Sequence, residues 1–172
     1  MLKRLSFLMV SIVLFFSIPS CTTKMDTDQF HDELIELYLF YKHYFESFAS
    51  SESTAEDLIK RDEEYKLRKK KDEKTLSKMK ATGLDDELCI LIKSMLNDIK
   101  INREHLYKEI TMVKSKEAHD LEDTSKLNRF YRDTKVYIKD KEEHFIDLYF
   151  KFIRRAEIEP DQTIFQLKKQ KH

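Results

Sequence analysis

Apolar residues recur at helical spacing through most of this chain. Phe30, Leu34, Leu37, Tyr41, Tyr44 and Phe48 follow a 4-3-4-3-4 rhythm, which places them on one stripe of a helix from about Asp28 to Ala49. Ile35, Tyr38, Phe40 and Phe45 widen that stripe until much of the circumference is apolar, so this helix must be covered on more than one side, core packing being the expectation and a ligand groove lined by the aromatic stripe the alternative. A break follows at Ala49–Thr54, where Ser53 with Glu56, or Thr54 with Asp57, has capping-box spacing. A second helix is predicted from there to Thr82, stopped by Gly83. Its ends carry Leu58, Ile59, Leu76 and Met79, whereas from Lys60 to Lys74 only Tyr65 and Leu67 are uncharged. Such a segment holds as a helix through i,i+4 pairs such as Asp62–Lys66 and Glu64–Arg68, and the pattern predicts that it partly projects.

A third helix is predicted from Asp85 or Asp86, whose charges suit the N-terminal dipole. Leu88, Ile92, Met95, Ile99, Asn102, Leu106 and Val113 keep its stripe, with Asn102 placed to fix register. A weaker break at 119–124 offers Asp123 or Thr124 as the cap of a fourth helix. Leu127, Tyr131, Thr134, Ile138, Phe145, Leu148 and Phe152 form its stripe, interrupted by Lys141, and Pro160 ends it. The tail has one short apolar patch, Ile164, Phe165 and Leu167, that can dock as a helical turn or stay loose. The expected class is all-α: an antiparallel bundle of about four long helices spanning 28–160, followed by a tail at 161–172. One Gly and two Pro in 172 residues exclude a turn-rich β protein.

The first residues follow a different pattern. Lys3 and Arg4 precede an apolar run from Leu5 to Ile18, too short for a membrane-spanning helix, and small residues close it. With Ile18-Pro19-Ser20-Cys21 this start resembles the signal and lipobox of bacterial lipoproteins. The resemblance covers residues 1–21 only. It implies a cleaved signal at 1–20, acyl chains (palmitate among them) on Cys21, and a short tether at 21–27. Thr22 stands where an aspartate retains enterobacterial lipoproteins in the inner membrane, so in a Gram-negative cell the resemblance implies an outer-membrane or cell-surface address. Several acyl chains hold a protein stably where one does not, which makes the lipid bilayer the first expected partner.

Charge changes the picture little. The chain has 32 basic and 32 acidic residues. Removal of Lys3 and Arg4 with the signal leaves a net charge of −2, which argues against nucleic acid as a partner. The strongest local feature is the run Arg68, Lys69, Lys70 and Lys71, a candidate electrostatic contact for a protein, a glycan or anionic headgroups.

Chemistry is sparse. None of the six histidines (His31, His43, His105, His119, His144, His172) has a Glu three residues before it or a His-x-x-x-His partner, so no metal site is expected. There is no Gly-x-Ser-x-Gly and no glycine-rich phosphate loop. Cys89, within Leu88–Ile92, reads as a buried thiol behaving as a small apolar group. The expectation is a non-enzymatic binding module without cofactors. The expected fold and anchor are loosely similar to the small Lys-rich helical surface lipoproteins of spirochaetes, which implies contact with a host or extracellular macromolecule. The competing expectation is a periplasm-facing structural, assembly or exclusion lipoprotein that meets an envelope protein.

Overall fold

A computed structural model describes residues 25–102 and 107–170. The lipobox with Cys21, the Asn102 side chain, His105, Leu106 and His172 fall outside that description. Among the described residues every regular element is helical: α1 (Thr27–Ala49), α2 (Ala55–Thr82), α3 (Asp86–Asn102), α4 (Lys108–Lys114), α5 (Leu121–Ala156) and α6 (Gln162–Lys169).

The helix ends are set by local chemistry. Asp26 caps α1 by accepting the Gln29 N–H at 2.8 Å. Thr54 and Asp57 form the capping box of α2, which decides between the two candidate boxes. Gly83 closes α2 at φ 67°, a left-handed conformation that glycine adopts without penalty. Asp85 accepts the Leu88 N–H at 2.9 Å at the head of α3. The cap of α5 is Asp120, not Asp123 or Thr124. Asp123 lies one turn inside, bound to Lys116 at 2.6 Å, which holds its carboxyl below the usual range. α5 ends at Ala156, four residues before Pro160, with Glu157 left-handed at φ 57°. The tail then forms α6, which is docked by the fully buried Ile164.

α1 lies against α2, α3 and α5. Its pairing with α5 runs antiparallel through rings: Phe30 with Phe152 at 5.2 Å, Tyr38 with Phe145 at 3.6 Å, and Phe45 with Tyr137 at 4.7 Å. Such pairs add about 0.5–1.5 kcal/mol each beyond the area they bury. All buried apolar residues lie between Phe30 and Ile164, so a chain starting at Thr22 keeps the whole described core.

α2 departs from expectation. It packs along its length on a stripe of Leu58, Asp62, Tyr65, Asp72, Leu76 and Met79, so its charged middle does not project. Two stripe positions are carboxylates, each almost fully buried. Asp62 meets Lys66 at 2.8 Å, as the i,i+4 reading anticipates. Asp72 takes a hydrogen bond from Tyr41 Oη at 3.1 Å and another from Arg68 Nε at 2.8 Å. Arg68 reaches on to Glu36 Oε1 at 2.9 Å and lies 4.0 Å over the Phe40 ring, so it bonds to Asp72 and Glu36 rather than to Glu64. Glu64 pairs with Arg61 instead, at 2.7 Å.

Removal of one partner from a buried charged pair leaves the other desolvated and uncompensated. Arg68→Ala is therefore expected to lower unfolding stability by about 2–3 kcal/mol in urea melts. Lys70→Ala, on the exposed side of α2, should cost under about 0.5 kcal/mol. Equal effects would contradict the packed polar stripe.

Candidate functional site

The basic run does not act as one patch. Arg68 is half-buried and bound to Asp72, Glu36 and the Phe40 ring. Lys71 leans toward Glu36 at 3.6 Å and Lys69 toward Glu73 at 4.0 Å. Lys70 is exposed. The signal for this disposition stands in the sequence: Asp72 follows Arg68 by four residues, the spacing of a helical ion pair.

A different site emerges on α5. Its C-terminal half is buried through Phe145, Ile146, Leu148, Tyr149, Phe152 and Ile153. From 128 to 144 no residue is fully buried, although Phe130, Tyr131, Tyr137 and Ile138 occur there at core spacing. These side chains pack on the core without being sealed by it. The result is a cleft of about 480 Å³ between α1, α4 and the N-terminal half of α5. Tyr44, Phe45 and Phe48 of α1 line one side. Tyr107 and Ile110 line a second, and Phe130, Thr134 and Tyr137 of α5 a third.

Short polar ties fix the walls. Tyr137 Oη donates to Asp98 Oδ2 at 2.7 Å, and burial with that carboxylate pushes its phenol well above the usual range, so it remains a donor. Lys141, which interrupts the α5 stripe, donates to Ser94 at 2.9 Å and joins α5 to α3. Lys114 of α4 donates to the carbonyls of Ser50 and Ser53 in the α1–α2 connection and lies 5.1 Å from the Tyr131 ring. One lysine thus joins three parts of the chain around this region. Phe48 packs edge-on to both Tyr107 at 5.9 Å and Phe130 at 6.3 Å, which brings the three sides together.

The cleft's charges sit toward solvent. Lys126 of α5 lies 2.9 Å from Glu122 and 3.8 Å from Glu109 of α4. Asp133 pairs with Arg132 at 3.1 Å. Arg129 also lines the cleft, and among the described residues it has no ion-pair partner. Apolar walls with few polar groups suit an apolar ligand body held by a polar end. Sequence reading offers a ligand groove on the α1 stripe only as the lesser alternative and does not find the α5 wall, because Phe130 and Tyr137 carry the same pattern whether or not a neighbour seals them.

The described histidines, His31, His43, His119 and His144, are not among the residues that line this cleft. His31 Nε2 lies 2.8 Å from Tyr149 Oη, which also accepts the Asp161 N–H at 2.6 Å and fastens the turn before α6. His43, His119 and His144 are exposed. Among the described residues no three His, Cys, Asp or Glu side chains converge as ligands for an ion.

Cys89 is buried on α3. Desolvation, followed by the Asp85 and Asp86 charges, pushes its thiol up to about 11. The nucleophilic thiolate is then scarce at neutral pH. In the chain from Thr22 to His172, Cys89 is expected to be inert to Ellman's reagent at pH 8 while folded and to react fully in denaturant. Fast reaction of the folded chain would show an accessible thiol instead. A comparison with protein-family models, with curated proteins and with solved structures finds no match for this chain.

Proposed function

We propose that this chain is a bacterial lipoprotein held by acylated Cys21, and that its helical body is a non-enzymatic binding module on the outer membrane or cell surface. The architecture proposed for it is an antiparallel bundle of about four long helices: α1, α2, an arm made of α3 and α4, and α5. The observation that carries the binding role is the aromatic cleft, the one face where apolar side chains at core spacing are left unsealed over a long helical stretch among the described residues.

Its position supports that role. Residues 22–26 stand between Cys21 and α1, a reach of at most about 18 Å. Phe48 lies about 30 Å along α1 from Thr27, so the cleft is at the end of α1 away from the tether. A partner could engage it without competing with the bilayer. The same short tether favours the second reading, a periplasm-facing assembly or exclusion lipoprotein that keeps close to an envelope protein. In either case the bet on a contact moves from Arg68–Lys71 to the cleft, because Arg68 already serves the interior.

Two measurements in cells test the proposal. An alkyne analogue of palmitate should label the wild-type chain and not Cys21→Ala; an unlabelled wild type would overturn the anchor. A benzophenone amino acid in place of Phe130 should give a discrete adduct on irradiation, and the same group in place of the exposed Leu67 should not. Equal labelling from both positions, or none, would remove the cleft from the account. Trypsin digestion of intact cells then separates the two readings: loss of the protein supports the surface, and survival until lysis supports the periplasm.

A further inference from the structure

The cleft's dimensions and charges narrow what it can hold. Along α5 its lining runs from Lys126 to Tyr137, about 16 Å of helix. Its volume of about 480 Å³ falls within the range of roughly 300–1,000 Å³ usual for small-molecule sites. The wall opposite α5 includes α4, a helix of only seven residues. Over the roughly 16 Å of the trough, a partner helix about 10 Å across would fill on the order of 1,200 Å³, more than the cleft holds. The interior therefore suits a slender apolar chain better than a docked helix.

The rim carries two cations, Lys126 and Arg129, and two carboxylates, Glu109 and Asp133. Glu109 and Glu122 offset Lys126, and Arg132 offsets Asp133. Among the described cations that line the cleft, Arg129 is the one without an ion-pair partner. It sits on the same face of α5 as Lys126, Phe130 and Asp133, at helical spacings of three and four. A guanidinium binds carboxylate and phosphate oxygens through paired hydrogen bonds.

We propose that the cleft binds a single-chain amphiphile with an anionic head, its chain along the aromatic trough beside α5 and its head against Arg129. This rests on the binding-module reading of the same cleft and names the ligand class. A free fatty acid and a lysophospholipid share this chemistry, one through a carboxylate and the other through a phosphate.

The test uses the chain from Thr22 to His172, which keeps the whole described core. Calorimetric titrations with dodecanoate, dodecyl phosphate and dodecyltrimethylammonium are run below their micelle concentrations. Both anions are expected to bind at one per chain, and the cation at least about tenfold more weakly. The tighter of the two anions indicates which source, fatty acid or lysophospholipid, fits the site. Arg129→Gln should weaken the anions by about tenfold without changing thermal unfolding. Phe130→Asp should abolish binding while helical content is retained. Equal affinity for all three heads, no saturable binding, or binding indifferent to Phe130→Asp would overturn the proposal. If a discrete adduct forms from position 130 in cells while no amphiphile binds, the ligand class fails and the binding module stands. If neither is seen, both fail.

Discussion

α1 is a helix that water cannot solvate. Along its 23 residues only Asp28, Gln29, Asp32, Glu36 and His43 are fully exposed, and these form a narrow strip. Its apolar side chains require cover, and the remaining long helices are arranged to provide it. α5 supplies rings to its apolar face, α3 supplies aliphatic side chains, and α2 closes the side that carries Tyr41 and Tyr44. The all-helical class follows from that requirement together with the near absence of glycine and proline. A chain with these residues gains little from turns and much from burying aromatic surface.

The cover from α2 comes with polar groups. Asp62 and Asp72 occupy positions where leucine would serve an ordinary apolar seam. They are tolerated because each is met by a cation one turn away, and Asp72 also by the Tyr41 hydroxyl. Burial and the Asp72 charge raise the Tyr41 phenol far above its usual value, so it donates throughout the accessible pH range. A buried charge cluster of this kind contributes less to net stability than to register. A one-turn slip of α2 against α1 would strand a carboxylate and an arginine together.

Much of this was legible in the sequence, and the misses share a cause. The limits of α1, the capping box at Thr54 and the stop at Gly83 depend on nearest neighbours along the chain, and local pattern reveals them. Asp120 was missed because three residues of capping type stand within five positions, and pattern does not choose among them. α2 defies its pattern because charge along a helix does not mean exposure. The sequence holds Arg68 four residues before Asp72, but not Tyr41 and Glu36 on the facing helix. The α5 wall of the cleft is hidden for the same reason: Phe130 and Phe145 look alike in one dimension. They differ in what faces them, a short α4 in one case and the full core in the other.

The central claim is therefore that α5 has two halves, one locked in the core and one lining an open cleft. Native-state hydrogen exchange resolved along α5 tests it directly. The amides from Phe145 to Ile153 should exchange only on global unfolding, and those from Leu127 to Tyr137 through smaller local openings with weaker denaturant dependence. Uniform protection from Leu127 to Ile153, with a single opening free energy, would contradict the account and leave the cleft as part of an ordinary core.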